Sequence, residues 1–210
     1  LRNPTARTQF LAAGAKLYPQ YGYRQLSVRL LVAETGLSSG MFHHLFASKA
    51  DFVAELLESQ NADTFGRLDF RTDEHACAVA KLRHAVCLLA GGVRDNLAWI
   101  NRIFADSADG VEIVDSFLHQ QFDRYSAWLY QLLGECFPQM PLPDLVVRMS
   151  YLCSSVVAPM FLSIRLNNMG ILLEEVSSHV PAVLSDEALE QRIDWTFAAL
   201  FPDYSAQDKP

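Results

Sequence analysis

Apolar residues recur at helical spacing along almost the whole chain. The first segment carries Phe10, Leu17 and Tyr21, at intervals of seven and four residues, and the last segment carries Ile193 and Phe197, four residues apart. Such intervals place side chains on one face of an α-helix, and no segment alternates with the period of two that a half-buried strand requires. The pattern therefore predicts an all-α protein.

Glycine, proline and helix-capping residues divide this pattern into segments. The breaks fall at Gly22, Gly36, Ala47–Ser48, Arg71–Thr72, Asp109–Gly110, Pro138–Pro143 and Gly170–Ser185. About nine helices are predicted between them, over residues 4–21, 27–34, 38–45, 48–69, 74–96, 98–107, 111–137, 143–169 and 186–201. Pro19 is expected to distort the end of the first helix. Pro159 is expected to kink the eighth, because it lacks the amide that the Ser155 carbonyl needs.

Short helices lie near the N-terminus and longer ones follow. We expect the first three helices to form a compact head, which the fourth helix joins to a C-terminal helical bundle. Residues 1–47 are therefore predicted to form one domain, and residues 48–210 are predicted to form a second.

One stretch near the N-terminus carries the most informative pattern. Ser27 can cap a short helix, Gly36 allows the positive φ of a tight turn, and Ser38 can cap the helix that follows. Phe42 and Phe46, four residues apart, give this second short helix one face to bury. The stretch therefore has the pattern of a helix-turn-helix motif.

The opposite face of that second helix is free of acidic residues. It carries Ser39, Gly40, Met41, His43 and His44. Hydrogen-bonding groups and a methionine suit the donors, acceptors and thymine methyls of a DNA major groove. A metal site at the two histidines is not expected, because adjacent helical residues point about 100° apart and no third ligand is near in sequence.

The stretch GLSSGMFHHLFASK, which ends at Lys49, resembles the signature G-V-S-x-G-x-L-Y-x-H-F-x-S-K of the bacterial TetR/AcrR-type family of transcriptional regulators. Leu17–Tyr18, Tyr21–Tyr23 and Ser27–Arg29 also fall at that family's spacing, so the resemblance covers about residues 10–57. It implies that operator DNA is contacted by Ser27, Arg29, Ser38, Ser39, Gly40, Met41, His43, His44 and Lys49.

Three positions depart from the family's pattern. His43 stands where the recognition helix usually has a tyrosine, and Val32 and Thr35 stand where the preceding helix usually has small residues. An imidazole can still donate a hydrogen bond, so His43 keeps its expected DNA contact. Ser48 is expected to cap the fourth helix, so that the helix dipole, free amides and the Lys49 ammonium converge on a phosphate.

The charge is unevenly distributed along the sequence. The 210 residues carry a net charge of −7. Residues 1–50 contain six basic residues and one acid, Glu34, which gives them +5 and leaves −12 for the other 160 residues. A basic head on an acidic body orients the molecule towards a polyanion such as double-stranded DNA.

No feature of the sequence indicates a cofactor, a metal site or an enzyme. Phosphate loops, nucleophile elbows, H-E-x-x-H and dinucleotide fingerprints are absent. Cys77, Cys87, Cys136 and Cys153 form no C-x-x-C pair and are expected to be buried free thiols. No apolar run reaches about 18 residues, and the first residues lack the apolar core of a signal peptide. A cytoplasmic location without membrane contact is therefore expected.

The eighth and ninth predicted helices have broad apolar faces, which we expect a second subunit to cover. The residues concerned are Leu152, Val156, Leu189, Ile193, Phe197 and Leu200. In the TetR family these two helices pair with their symmetry mates, so the resemblance implies a homodimer, as a palindromic operator requires. The alternative is that these faces belong to the internal core.

Aromatic and polar residues share a stripe along the sixth to eighth predicted helices. Such a combination is typical of a pocket that orients a ligand, although most aromatic residues at helical spacing belong to the core. The residues predicted to bind a mainly apolar effector are Trp99, Arg102, Phe104, Phe117, His119, Tyr125, Trp128, Tyr151, Phe161 and Arg165. Arg102, His119 and Arg165 can instead form surface ion pairs.

The resemblance implies a transcriptional regulator, expected to be a repressor that leaves its palindromic operator when a small effector binds the C-terminal domain. Two alternatives stay open on the sequence. One is a constitutive DNA-binding or nucleoid-associated protein of the same fold without an effector. The other is a helical enzyme or lipid carrier with an incidental helix-turn-helix.

Overall fold

The computed structural model of this protein describes residues 5–66 and 76–202. Within those residues the secondary structure is helical and contains no strand, which confirms the all-α prediction. The helices are α1 (Ala6–Gln25), α2 (Val28–Thr35), α3 (Ser39–Leu45), α4 (Lys49–Thr64), α5 (Ala78–Asp95), α6 (Leu97–Ala108), α7 (Glu112–Cys136), α8 (Leu142–Val156), α9 (Ala158–Asn168), α10 (Glu174–Ser177), α11 (Val180–Val183) and α12 (Asp186–Leu200).

Serine side chains set the starts of several helices. Ser27, Ser38, Ser48 and Ser185 precede α2, α3, α4 and α12, and each accepts a hydrogen bond from the amide three residues further on. The donor–acceptor distances lie between 3.1 and 3.3 Å. These caps satisfy amides that the first helical turn leaves unpaired. The predicted starts of these helices agree with the structure to within one residue for this reason.

The distortion of α1 lies at Gly22 rather than at Pro19. α1 continues through Pro19 to Gln25, and its only non-helical backbone angles are those of Gly22, with φ 64° and ψ 179°. Residues with a Cβ rarely adopt such a φ, whereas glycine does so at little cost. The predicted break at Gly22 is confirmed, but the assignment of the distortion to Pro19 placed it three residues too early.

The eighth predicted helix is broken in two. α8 ends at Val156 and α9 begins at Ala158, and the two are bent by 46°. Pro159, in the first turn of α9, supplies no amide, which confirms the predicted kink. The predicted loop after residue 169 contains the short helices α10 and α11. No single helix of the described residues has the length and hydropathy of a membrane span, and only the bent pair α8 and α9 reaches both when joined.

Four predicted boundaries lie outside the described residues. They are the start of the first helix at residue 4, the break at Arg71–Thr72, and the helix ends predicted at residues 69 and 74. The described parts of the fourth and fifth predicted helices correspond to α4 and α5.

The described residues form two compact units, each with its own core. The first comprises residues 5–66 and 98–123, and the second comprises residues 76–97 and 124–202. The core of the first unit is built around buried Phe10, Tyr18, Leu31, Phe42, Phe52, Leu56 and Trp99. The core of the second is built around Leu82, Leu133, Leu152, Val156, Met160, Ile193 and Phe197. α6 and the start of α7 thus share a core with the N-terminal helices.

The four cysteines are free thiols, but only two of them are even partly buried. Cys87 and Cys136 are half-buried, whereas Cys77 and Cys153 are exposed. Cys77 is exposed because it precedes α5, where its sulfur accepts a hydrogen bond from the amide of Ala80. The expectation that all four thiols are buried was therefore wrong for Cys77 and Cys153.

Candidate DNA-binding site

α2 and α3 form a helix-turn-helix in the first unit. Gly36 ends α2 with φ 72°, and its amide donates to the Val32 carbonyl at 2.9 Å. Ser38 then caps α3. The turn is short because Gly36 reverses the chain in a left-handed conformation that other residues rarely adopt. The geometry is that of the motif predicted from Ser27, Gly36 and Ser38.

Aromatic rings hold α3 in place. Phe42 is fully buried on α3, and its ring meets those of Phe10 from α1 and Phe52 from α4 with centroids 5.4 Å apart in each case. Phe46, at the end of α3, lies with its ring centroid 5.0 Å from that of Phe52. A seven-residue helix is unstable alone, so these contacts with two longer helices fix its orientation.

Arg7 secures the C-terminal end of α3. Its guanidinium donates to the carbonyl of Leu45 at 2.7 Å and forms an ion pair with Glu55 of α4. The same guanidinium lies 4.8 Å from the centroid of the Phe46 ring. A cation at this helix end also complements the helix dipole. Arg7 therefore connects α1 to the end of α3 and to α4.

The outward face of α3 is exposed and carries no acidic side chain. Its residues are Ser39, Gly40, Met41, His43 and His44. Arg29 of α2 is also exposed. Glu34, the single acid before residue 50, accepts a hydrogen bond from the Lys16 ammonium at 2.6 Å. The negative charge of Glu34 is thus balanced within the head, so this face suits an anionic partner.

Lys49 is turned towards its own protein. Its ammonium donates to the carbonyls of Tyr23 at 2.7 Å and Leu26 at 3.1 Å, and it lies 4.4 Å from the centroid of the Tyr23 ring. Burial lowers the pKa of Lys49 below its usual value, and the nearby Asp106 carboxylate opposes that change. An ammonium has three N–H groups, so one remains for a phosphate. Lys49 therefore joins the start of α4 to the end of α1.

The start of α4 already holds a carboxylate of the same chain. The Ser48 hydroxyl accepts from the amide of Asp51 at 3.1 Å and lies 2.8 Å from the Asp51 carboxylate, to which it donates. An acidic side chain in the first turn complements the positive end of the helix dipole. The sequence reasoning at Ser48 and Lys49 left out Asp51, which competes with a phosphate for this position.

Asp106 was missed by the sequence reasoning. This α6 carboxylate is 1% exposed and accepts from the amide of Tyr23 at 2.7 Å and from the Arg102 guanidinium at 2.8 Å. Burial, followed by the neighbouring Asp106, raises the pKa of Tyr18 far above its usual value. The i, i+4 spacing of Arg102 and Asp106 was the available signal. Asp106 ties α6 to the end of α1, next to the Lys49 contacts.

The ten residues predicted to bind an effector fall into both units. Trp99, Arg102, Phe104, Phe117 and His119 lie in the first unit. Tyr125, Trp128, Tyr151, Phe161 and Arg165 lie in the second. Trp99 is buried in the first core beside Tyr18, with ring centroids 4.8 Å apart. The imidazole of exposed His119 lies 2.9 Å from the Asp115 carbonyl. Their role in ligand binding stays a prediction.

The six residues predicted for a dimer interface are buried within one chain. Leu152, Val156, Leu189, Ile193, Phe197 and Leu200 are each 8% exposed or less, and they pack together in the second core. Phe201, which follows α12, packs there too, with its ring 5.5 Å from that of Phe197. This burial agrees with the alternative that these faces belong to the internal core, and a role of the six residues in a dimer stays a prediction. Exposed apolar residues instead lie on the other faces of α8 and α12, among them Val147, Tyr151 and Trp195.

Comparisons with known proteins agree with this geometry. The family model of bacterial regulatory proteins of the tetR family matches residues 10–56, the helix-turn-helix and its flanking helices. A TetR-like transcriptional regulator from Rhodococcus sp. RHA1 has a similar structure, with a TM-score of 0.64 and 18% identity over 95% of this chain and 98% of that one. The HlyIIR mutant protein matches with a TM-score of 0.61 and 16% identity over 86% of this chain and 97% of its own.

A curated relative is similar in sequence. It is the nucleoid occlusion factor SlmA of Marinomonas sp. (strain MWYL1), 26% identical over 130 residues. That match covers 61% of this chain and 66% of the relative, slightly less than two thirds of its length. The helix-turn-helix and its flanking helices thus match the model of the tetR family of bacterial regulatory proteins, and the structural neighbours share the fold of the chain.

Proposed function

We propose that this DNA-binding regulator is a repressor that binds a palindromic operator as a homodimer in the cytoplasm and is released by a small effector. The observation that carries the proposal is the outward face of α3, which is exposed, free of acid and rigidly backed by Phe42 and Phe46. Residues 1–47 would bind DNA, and residues 48–210 would bind the effector and the second subunit. No catalytic step is assigned.

The DNA contacts proposed are those predicted from the sequence. Arg29 would pair with phosphate, and Met41, His43 and His44 would face base edges in the major groove. Ser27, Ser38, Ser39 and Gly40 bring helix N-termini close to the backbone, where amides favour phosphate. Lys49 would contribute its one remaining N–H while it holds the ends of α1 and α4 together.

The homodimer is proposed to form through α8 and α12. These helices pack against each other and bury Leu152, Ile193 and Phe197 between them and the rest of the second core. Tyr151 and Trp195 remain 47% and 63% exposed on the same two helices. Large exposed aromatic residues are favoured at interfaces. A second copy of the chain would cover them, and a two-fold dimer matches two half-sites of an operator.

An effector is the part of the proposal that depends on the family alone. The ten residues predicted from the sequence lie in both units, so we assign the effector role to the C-terminal part without placing those residues in one cavity. Release would require that the effector bind the DNA-incompetent state more tightly. Coupling of about 3 kcal/mol would change operator affinity about a hundredfold.

The alternative is constitutive DNA binding without an effector. The similarity to a nucleoid occlusion factor favours it loosely, because that protein is named for a role at the nucleoid. The two proposals differ in what a small molecule does to the DNA complex. A constitutive binder would keep its operator in the presence of every small molecule tested.

The experiment is selection of bound duplexes from random DNA, followed by binding measurements on the selected sequence. We expect a palindrome bound by two chains, with an affinity that falls steeply as salt rises. Selection of a non-palindromic site by a single chain would contradict the dimeric proposal. Equal affinity for selected and random duplexes would contradict sequence-specific regulation.

A further inference from the structure

The second unit contains a recess that the functional proposal above does not use. It has a volume of about 200 Å³ and is walled by α9, α10 and α11 and by the segment between α9 and α10. Its lining is Leu162, Ser163, Leu166, Leu172, Val176, His179, Val180 and Val183. Six of these eight side chains are leucine or valine, so the recess is apolar and contains no charged lysine, arginine or acid.

The walls of the recess are fixed by hydrogen bonds to neighbouring helices. The Arg192 guanidinium of α12 donates to the carbonyl of Val183 at 2.7 Å, at the end of α11, and to the carbonyl of Val156 at 3.4 Å, beside the break between α8 and α9. Ser177 of α10 donates to the side-chain oxygen of Asn167 of α9. These hydrogen bonds connect the end of α11 to α12, and α10 to α9.

One polar group of the lining has a defined hydrogen-bonding role. Nδ1 of His179 lies 2.8 Å from the carbonyl oxygen of Glu175. A carbonyl oxygen can only accept, so Nδ1 carries a proton, and in the tautomer protonated at Nδ1 alone Nε2 can accept a hydrogen bond. The Ser178 hydroxyl, 2.9 Å from Nδ1, is compatible with this tautomer because it can accept as well. His179 thus offers one acceptor at a site whose other lining residues are apolar except for Ser163.

We propose that this recess binds one small, uncharged, mainly apolar molecule that carries a hydroxyl group, of the class of simple phenols. The recess is open to solvent on one side, where Leu162, Val176 and His179 are exposed. Its volume of about 200 Å³ is enough for a substituted ring, since an enclosed apolar cavity of about 150 Å³ holds benzene. The hydroxyl donates to Nε2 of His179. A carboxylate is disfavoured, because no lysine or arginine lines the recess. This site is distinct from the ten residues predicted from the sequence, apart from sharing α9 with Phe161 and Arg165.

The proposal is tested with p-cresol and toluene, which have nearly the same size and differ by the hydroxyl. The full chain is labelled at leucine and valine methyl groups and titrated with each compound by NMR. We expect both compounds to shift the methyl signals of Leu162, Leu166, Val180 and Val183, and to leave those of Val53 and Leu56, in the first unit, unchanged. Binding to the recess does not rest on the regulatory function proposed above.

Two variants distinguish the hydrogen bond of the ligand hydroxyl from apolar packing of the ligand in the recess. His179→Phe keeps the size of an exposed side chain and removes the acceptor, so it should weaken p-cresol binding about fivefold and leave toluene binding unchanged. Leu166→Trp fills the recess and should abolish binding of both compounds. Leu142→Trp, at an exposed leucine on α8, is the matched control and should bind both as the unmodified chain does.

Three results would overturn the proposal. One is that millimolar p-cresol shifts none of these methyl signals. If the signals then shift only when the protein is diluted, a second copy of the chain covers the recess instead of a small molecule. Another is p-cresol binding that His179→Phe leaves unaltered. The third is hexanoate binding as tightly as p-cresol, which would replace the neutral phenol class by carboxylates. If Leu166→Trp fails to fold, the proposal is still tested by the ratio of p-cresol to toluene affinity, which should be lower in His179→Phe than in the unmodified chain.

Discussion

Two basic side chains of the head, Arg29 and Lys49, have different surroundings. Arg29 is exposed, and its side chain has no hydrogen-bond or ion-pair partner among the described residues. Lys49 donates to two carbonyls of its own chain. Arg29 is therefore available to DNA and has no structural role, whereas Lys49 has a structural role as well as its proposed DNA contact. Single substitutions at these positions separate binding from folding.

Arg29→Ala is expected to weaken binding to all duplexes alike and to leave the thermal midpoint unchanged. A lost phosphate contact should also flatten the slope of log affinity against log salt by about one unit. The measurement is fluorescence anisotropy with the selected operator at several salt concentrations. Arg124→Ala, at an exposed arginine of α7 in the second unit, is the control and should keep the original slope. An unchanged slope in Arg29→Ala would remove this residue from the contacts.

Lys49→Met is expected to lower both stability and operator affinity. The Tyr23 and Leu26 carbonyls lose a charged donor, and hydrogen bonds to charged groups contribute about 1.5–3 kcal/mol each in the stronger cases. Urea unfolding followed by circular dichroism measures this loss. A variant with unchanged unfolding free energy and reduced DNA affinity would show that Lys49 acts on DNA alone.

The raised pKa of Cys136 predicts that the free energy of unfolding depends on pH in the alkaline range. Burial raises the pKa of this thiol from its ordinary value of 9.0 to about 12. Above pH 9 the unfolded chain loses the thiol proton while the folded chain keeps it, so the free energy of unfolding falls as pH rises from 9 towards 12. Cys136→Ala should make this decline shallower in urea unfolding at pH 8, 9 and 10.5. Equal declines in both proteins would contradict the raised pKa of this thiol.

At the scale of the element, two glycines with positive φ differ in the space around the position that a Cβ would occupy. Gly36, with φ 72°, has no atom within 4 Å of the position that a Cβ would occupy. Gly22, with φ 64°, would place a Cβ 2.6 Å from the Arg102 guanidinium and 2.8 Å from the Asp106 carboxylate. The turn of the helix-turn-helix therefore needs glycine for its backbone alone, and the kink of α1 needs it for space as well.

Gly36→Ala is expected to destabilise the protein by about 1–2 kcal/mol, the strain of an L-residue in the left-handed region. Gly22→Ala should destabilise it by clearly more, since Asp106 and Arg102 must also move. Both are compared by urea unfolding, with Gly91→Ala as control, because Gly91 lies in α5 with no atom near its Cβ position. Equal losses at Gly22 and Gly36 would show that the Asp106 contacts tolerate displacement.

Some helix starts and breaks can be predicted from the local sequence pattern alone. Ser27, Ser38 and Ser185 mark helix starts because a cap forms between residues three apart. Pro159 marks a break because its missing amide is a local property. The helices α10 and α11 have only four residues each, too few to produce a periodic pattern in the sequence.

At the scale of the whole molecule, the apolar faces of α8 and α12 pack against each other and are buried within one chain. Ile193 and Phe197 are each 1% exposed, whereas Trp195 on the same helix is 63% exposed. The core and the proposed interface therefore occupy different faces of α12. A charge placed on each face should have different consequences.

Trp195→Glu is expected to give a folded monomer with weak operator binding, because it places a charge in the proposed interface. Phe197→Asp is expected to unfold the second unit, because it buries an unpaired carboxylate in the core. Sedimentation velocity and circular dichroism distinguish these results, and Ala127→Glu on α7 serves as an exposed control. A folded, monomeric Phe197→Asp would place this residue in the interface, as the sequence pattern first suggested.

The sequence by itself determined the features that depend on neighbours along the chain. The helix-turn-helix follows from two serine caps, a glycine and two phenylalanines within about twenty residues, and the family match covers the same stretch. The helical class follows from the period of apolar residues over long segments. Each of these properties is set by interactions within one or two helical turns.

The tertiary structure alone decided which distant groups meet. Asp106 reaches Tyr23 across 83 positions, and Lys49 reaches Tyr23 across 26, so neither contact leaves a periodic trace. The same holds for the apolar faces of α8 and α12, because a hydrophobic face requires a cover but does not specify whether the cover is the same chain or a partner. Periodicity records that a face is buried, whereas its partner depends on the packing of all the helices.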